Sequence, residues 1–189
     1  MKKVKIRSSR LRNHLKPILD EWIKIIDGYS NNVKDDALYW HNEMASVSSL
    51  AGAIWRQKDH LAIEEYVTEK RTKRKGKKWN GRGDLYFRCG RTDYIAEAKQ
   101  KEVSISSTAS KTIDHIKEAL DNALDDVEAA HPAGGETPLG VVFVVPYIPL
   151  SGKNQKASLI NQFIDEISDR HSDLDYDAMA YTFPKNGST

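Results

Sequence analysis

Asp84, Glu97 and Lys99 are the residues whose types and spacing can do chemistry. They lie in GRGDLYFRCGRTDYIAEAKQ, residues 81–100. That stretch reads as two short strands, 82–89 and 92–99, around a tight turn. Residues two apart in a strand face the same side, so Glu97 and Lys99 project together while Ala96 and Ala98 face away. A two-residue turn at Gly90-Arg91 is favoured by glycine at its first central position. It pairs Cys89 with Thr92 and sets Asp84 opposite Glu97. Their Cβ atoms are then about 4.5–5.5 Å apart. Like charges placed so destabilise an ordinary sheet, and a divalent cation between them reverses the sign. Hard carboxylate oxygens suit Mg²⁺, which takes one or two carboxylates plus water and substrate phosphate. Such an ion polarises a phosphodiester and lowers the pKa of a water. Lys99 can orient that water or stabilise charge developing on phosphorus. The backbone carbonyl of Ala98 is a candidate further ligand. The plain alternative is an exposed polar face with an incidental ion pair at Lys99.

The elements around this hairpin follow from hydrophobic period. Leu11, Leu15, Ile18, Leu19, Trp22, Ile25 and Ile26 form one apolar stripe and predict a helix over 9–29, with Pro17 near its start or at a kink. Gly28 and the Ser30-Asn31-Asn32 cluster end it. A second helix is expected from Val33 to Lys58, its seam made by Trp40, Met44, Val47, Ala51 and Ile54. Glu43 lies on the flank of that seam, either buried for a reason or at a solvated border. From His60 to Arg71 the period changes to two. Leu61, Ile63, Glu65 and Val67 alternate with Ala62, Glu64, Tyr66 and Thr68, as in a half-buried strand; a continued helix is the competing assignment. Residues 103–110 are rich in Ser and Thr and predict a loop. Ile113, Ile116, Leu120, Ala123, Leu124 and Val127 predict a third helix over 110–130. LGVVFVVPYIPL predicts a strand over 140–147, buried on both faces. A fourth helix over 159–170 and a last strand over 176–183 close an α/β fold with a mixed central sheet flanked by helices.

Charge is divided along the chain. Residues 1–100 carry 22 Lys and Arg against 13 Asp and Glu, a net of +9; residues 101–189 carry 7 against 14, a net of −7. Between positions 70 and 82 stand Lys70, Arg71, Lys73, Arg74, Lys75, Lys77, Lys78 and Arg82, with no acidic residue. Gly76 and Gly81 make this a loop or hairpin tip. The basic residues suit phosphate contact, and Trp79 is placed to stack on a base or enter a groove. A solvated charged loop is the alternative, and charge compensation between the two halves of the chain is the alternative for the whole.

Length and composition bound the rest. The 189 residues suit one domain, 1–189, with residues 1–32 expected as an N-terminal helical extension. Cys89 is the single cysteine, which excludes an intrachain disulfide and a cysteine zinc site and fits a reducing cytoplasm. The basic N-terminus lacks the apolar run of a secretory signal. The longest apolar run, Leu139 to Leu150, is too short to span a bilayer. Arg82-Gly83-Asp84 spells an adhesion tripeptide without its context. Gly152-Lys153 lacks the upstream glycine of a phosphate loop. The histidines show no zinc spacing.

Asp84, then twelve residues, then Glu97-Ala98-Lys99 resembles the PD-(D/E)XK nuclease superfamily, over roughly residues 33–147. A Glu-bearing helix, three antiparallel strands, a helix and a buried strand are similar to that family's core order. The resemblance implies a restriction-endonuclease-like fold and a Mg²⁺-dependent endonuclease, with Mn²⁺ able to substitute. By position it implies Asp84 and Glu97 as metal ligands and Lys99 as the catalytic lysine. By analogy it implies Glu43 as the helix Glu of the metal site, with Glu64 and Glu65 as rivals. Gly83 stands where the family commonly has Pro, and no Gln-x-x-x-Tyr follows Lys99, which speaks against the RecB-like branch. The implied partner is nucleic acid, foremost duplex DNA cut by a homodimer in restriction or phage defence. RNA and branched DNA remain open as substrates. A catalytically silent module binding nucleic acid or protein is the alternative.

Overall fold

The chain turns at Gly90, whose φ of +61° lies in the left-handed region that glycine enters without steric cost. In this computed structural model, which describes residues 2–34, 36–71, 78–130, 135–148 and 156–182, the turn joins β3 (Lys78–Cys89) to β4 (Thr92–Ser104). Cys89 pairs with Thr92, and the ladder runs back to Leu85 opposite Ala96. This is the register that a Gly90-Arg91 turn predicts. β2 (His60–Arg71) pairs antiparallel with β3, and β5 (Thr137–Tyr147) runs parallel to β4. The product is a four-stranded mixed sheet in the order β2-β3-β4-β5.

Helices flank the sheet and make the fold mixed α/β. On one face lie α1 (Ser9–Asn32) and α2 (Glu43–Trp55). Leu11 and Ile18 of α1 and Val47, Ala51 and Ile54 of α2 share one core with Leu85, Phe87, Cys89, Tyr94, Ala96 and Ala98. Alternation along β3 and β4 delivers every second residue to that core. Where α1 crosses, Trp22 Nε1 donates to Ser49 Oγ at 2.8 Å, and His14 Nδ1 hydrogen-bonds Tyr94 Oη at 2.5 Å. Residues 9–32 therefore help build the principal core. On the other face α3 (Ala109–Ala130) packs on β4 and β5 and buries Ile113, Ile116, Ala123 and Val127. Phe163 of α4 (Lys156–Arg170) packs with Val103 and Ile105. Among the described residues no helix is long and apolar enough to cross a membrane.

Several expectations are corrected, each for a local reason. β1 (Lys2–Ile6) was not foreseen; it pairs with β6 (Ala178–Thr182) in a separate two-stranded sheet, so the last strand does not join the central one. The second helix starts at Glu43 because Asn42 caps it, its side chain accepting from the Ala45 N–H at 2.9 Å. Leu38–Trp40 form a 3-10 turn before it. Trp40 and Met44, expected in the seam, are consequently 46% and 58% exposed. β4 runs on to Ser104, into the expected loop. β5 is an edge strand packed on both faces, Phe143 in the core with α1 and α2 and Val144 against residues of α3 and α4; Phe143 and Val145 are its fully buried residues. α1 runs on through Pro17.

β2 shapes the ground around Asp84. Its first half faces α2: Ala62 enters the core, and Glu64 accepts a hydrogen bond from Ser48 Oγ. Past Glu65 the pleat inverts: Thr68 faces α3, its Oγ1 donating at 3.4 Å to Ala130 O at the end of that helix. Glu65 has a φ of +49°, uncommon outside glycine. The ladder passes from Glu64–Leu85 to Tyr66–Gly83 and leaves Glu65 and Asp84 unpaired. Tyr66 then lies over Gly83, where an added Cβ would stand 2.5 Å from the ring. Gly83→Ala is expected to cost about 1–3 kcal/mol by overpacking, read by urea denaturation. An unchanged midpoint would mean that Tyr66 yields freely.

Candidate active site

β3 and β4 separate after Leu85 and Ala96. β3 stays with β2 as far as Lys78, and β4 stays with β5 as far as Ser104. In an antiparallel ladder alternate N–H groups point to the same neighbour. Those of Ala98 and Gln100 therefore face the edge that β3 has left. Both donate to carboxylates instead, Ala98 N–H to Asp84 Oδ2 at 2.7 Å and Gln100 N–H to Glu43 Oε2 at 2.9 Å. Such bonds are charge-assisted and fix one oxygen of each acid. Glu43 can reach because it is the first residue of α2, which points its N-terminus at the fork. Ser46 Oγ holds the Gln100 side chain from the same helix at 2.9 Å. The expected opposition of Asp84 and Glu97 falls one step beyond the last paired residues, so they flank the fork and do not sit inside a ladder.

Glu97 is 4% exposed. Lys70 Nζ lies 2.9 Å from its Oε1, an ion-pair distance. The contact falls outside hydrogen-bond geometry, and Oε1 has no hydrogen-bond partner among the described residues. Burial pushes the Glu97 carboxyl up to about 7; Lys70 pulls against this, while the charges of Asp84 and Asp126 push further. Lys99 reaches α3, where its Nζ lies 2.5 Å from Asp126 Oδ2. Burial acts to lower the Lys99 ammonium. Asp126, Glu43 and Asp84 outweigh it and hold Lys99 above its ordinary value. Lys99 is thus a standing positive charge and no proton acceptor at neutral pH. Asp84 lies within electrostatic reach of both Glu97 and Lys99, and Glu43 within reach of Lys99.

A small cleft beside the fork is lined by Glu43, Met44, Val47, Glu64, Glu65 and Asp84. Glu64 and Glu65 border the site but are engaged elsewhere, Glu64 by Ser48 and Glu65 by Arg82 at 2.6 Å. A broader groove between α1 and α2, lined by Ile25, Tyr29, His41 and Arg56 among others, contains none of these acids. We give it no part in the chemistry.

The basic stretch divides. Arg71 and Lys78 close the β2–β3 hairpin opposite one another. Lys73, Arg74, Lys75 and Lys77 lie outside the described residues. Trp79 is 43% exposed at the start of β3. Arg82 is exposed, with one nitrogen on Glu65. Lys70 is turned inward, its Nζ 2.9 Å from Glu97 Oε1. Reasoning from sequence also missed Asp126 and Tyr66. Asp126 sits one position off the buried Ala123–Val127 stripe, the same flank position that drew attention to Glu43. Tyr66 carried no signal, since only the inverted pleat brings it near Glu97 and Asp84, whose charges join burial in raising its phenol to about 12.

The donor set fits a magnesium-type ion. Two hard carboxylates stand close enough for one charge to raise the other, and among the described residues a buried oxygen of Glu97 has only the Lys70 ammonium beside it, outside hydrogen-bond geometry. Among the described residues no three Asp, Glu, His or Cys side chains converge as a ready-made cage. Mg²⁺ does not need one, since it draws most of its oxygens from water and phosphate. No family model, curated protein or solved structure matches the chain.

Proposed function

We propose that the chain is a Mg²⁺-dependent endonuclease of the PD-(D/E)XK type, with a restriction-endonuclease-like fold and duplex DNA as its foremost substrate. The observation that carries this is the fork. Asp84, Glu97 and Lys99 stand on the two strands just past the last β3–β4 pair, and the buried Glu97 Oε1 has no hydrogen-bond partner among the described residues. Asp84 and Glu97 would hold the ion, and Glu43 completes the acidic side from α2. A bound divalent ion supplies Lewis-acid polarisation of the phosphodiester and makes a water acidic enough to attack. Lys99, kept protonated by its acidic neighbours, stabilises the negative charge that develops on phosphorus. Trp79 and Arg82 stand on the exposed strand that leads to the fork and offer a route for the backbone of the nucleic acid. A homodimer would present two such sites to the two strands of a duplex, as restriction or phage defence requires.

One observation favours a second reading, a silent binding module: Glu97 and Lys99 each already have an oppositely charged neighbour, Lys70 and Asp126. A cleavage panel separates the two. Duplex, single-stranded, branched and RNA substrates are incubated with Mg²⁺ or Mn²⁺ and with chelator. Cleavage of duplex DNA that chelator abolishes is expected, and Lys99→Ala should lower the rate by about a hundredfold or more. Nucleic-acid binding with no cleavage of any substrate under either metal would overturn the nuclease and leave the module.

A further inference from the structure

Lys70 reaches Glu97 by an unusual route. It starts on β2 and passes over β3 at Gly81, where an added Cβ would stand 2.9 Å from its Cδ and 3.1 Å from its Cγ. The missing side chain at Gly81 is what lets the stem lie flat. Tyr66 uses Gly83 in the same way one pair earlier. The two glycines make a trough across β3 that leads from the β2 edge to the fork. At its end the Lys70 ammonium stands 2.9 Å from the Oε1 atom that has no hydrogen-bond partner among the described residues. A positive charge is therefore already seated on the carboxylate that a divalent ion needs. Lys99 cannot take that place, because Asp126 holds it on the α3 side.

An ammonium and a divalent ion on the same oxygen of Glu97 exclude one another. They repel at contact distance, and Oε1 is the oxygen beside which the Lys70 ammonium already stands. We propose that Lys70 is a tethered counter-ion that competes with metal for Glu97, and that loading the ion displaces it along the glycine trough. The inference rests on the metal site proposed above. It adds what that site lacks, a reason why a buried carboxylate beside two further acids is tolerated before metal arrives. It also gives the displaced ammonium a destination. Lys70 sits at the base of the basic hairpin, so on leaving Glu97 it moves toward the side where a phosphate backbone would lie.

Mn²⁺ binding to the whole chain, followed by titration calorimetry at pH 8.5, tests this. Lys70→Met keeps the stem and removes the charge, and should bind Mn²⁺ about tenfold more tightly than the wild type. Lys70→Arg keeps a cation in place and should stay near the wild-type affinity. Thermal unfolding with and without Mn²⁺ gives a second readout: the ion should raise the midpoint more in Lys70→Met than in the wild type. If Lys70→Met fails to fold, Lys70→Gln replaces it. Equal or weaker binding by Lys70→Met, with Asp84→Asn still weakening the wild-type affinity, would overturn the counter-ion and leave the metal site standing. Absence of Mn²⁺ binding in every variant would overturn both.

Discussion

Glu97→Gln should abolish cleavage and yet give a more stable protein above pH 7. The folded Glu97 carboxyl is pushed from its ordinary 4.5 up to about 7, burial being the main cause. Between those two values the folded state keeps a proton that the unfolded chain releases. Stability therefore falls as pH rises through this window, and the full cost stands above it. The gap corresponds to about 3 kcal/mol, an order of magnitude for one buried acid that also feels Lys70, Asp84 and Asp126. Glutamine resembles the protonated carboxyl and escapes that cost, but it cannot serve as a charged ligand. Cleavage should drop by about a thousandfold or more, because the proposed metal site loses one of its two carboxylates. At limiting metal, wild-type cleavage should itself rise with pH, as the proton leaves the ligand that the ion needs. Urea denaturation at pH 5 and pH 8.5 checks the stability half: the wild type loses stability between them and the variant does not. A variant less stable than the wild type at pH 8.5 would make Glu97 an ordinary structural partner of Lys70. Stability given up at a group that holds charge for a purpose is the expected mark of a functional site.

The hairpin was legible because its signals are local. Gly90 set the turn, the turn set the register, and the register brought Asp84 and Glu97 to the same level. β2 was legible for the same reason, its bounds of His60 to Arg71 matching the alternating stretch, although the pleat inverts at Glu65. The rest of the site depends on where pairing stops, which no residue announces. Glu43 finds its partner only because β3 leaves the Gln100 N–H open. Lys70 turns inward only because Glu65 adopts a positive φ and inverts the pleat, while Gly81 clears the way. A charge run reads as a solvated loop until one member is seen buried. The pairing of β1 with β6 joins opposite ends of the described chain, a long-range contact that short windows cannot find.

Asp84→Asn and Asp84→Ala should both lose cleavage by about a thousandfold or more, since either removes a charged ligand. Their structural effects should differ. Asparagine still offers a side-chain oxygen to the Ala98 N–H, which Asp84 Oδ2 accepts at 2.7 Å. Alanine offers none and leaves that donor unsatisfied at the root of the fork, a loss of about 1–3 kcal/mol. The asparagine variant is the more informative, because it removes the charge and keeps the geometry. Asp84 is one of the charges that raise Glu97. Without it Glu97 should ionise at lower pH, though burial still holds it above its ordinary value. The window in which stability falls with rising pH should then move down toward 4.5, and the total fall should shrink. Stability against pH for the wild type and Asp84→Asn, measured without metal or substrate, reads this directly. An unmoved window would put the two carboxylates too far apart to share an ion, whatever the cleavage assay shows. A lowered window would establish the acidic pair on physical grounds that owe nothing to catalysis.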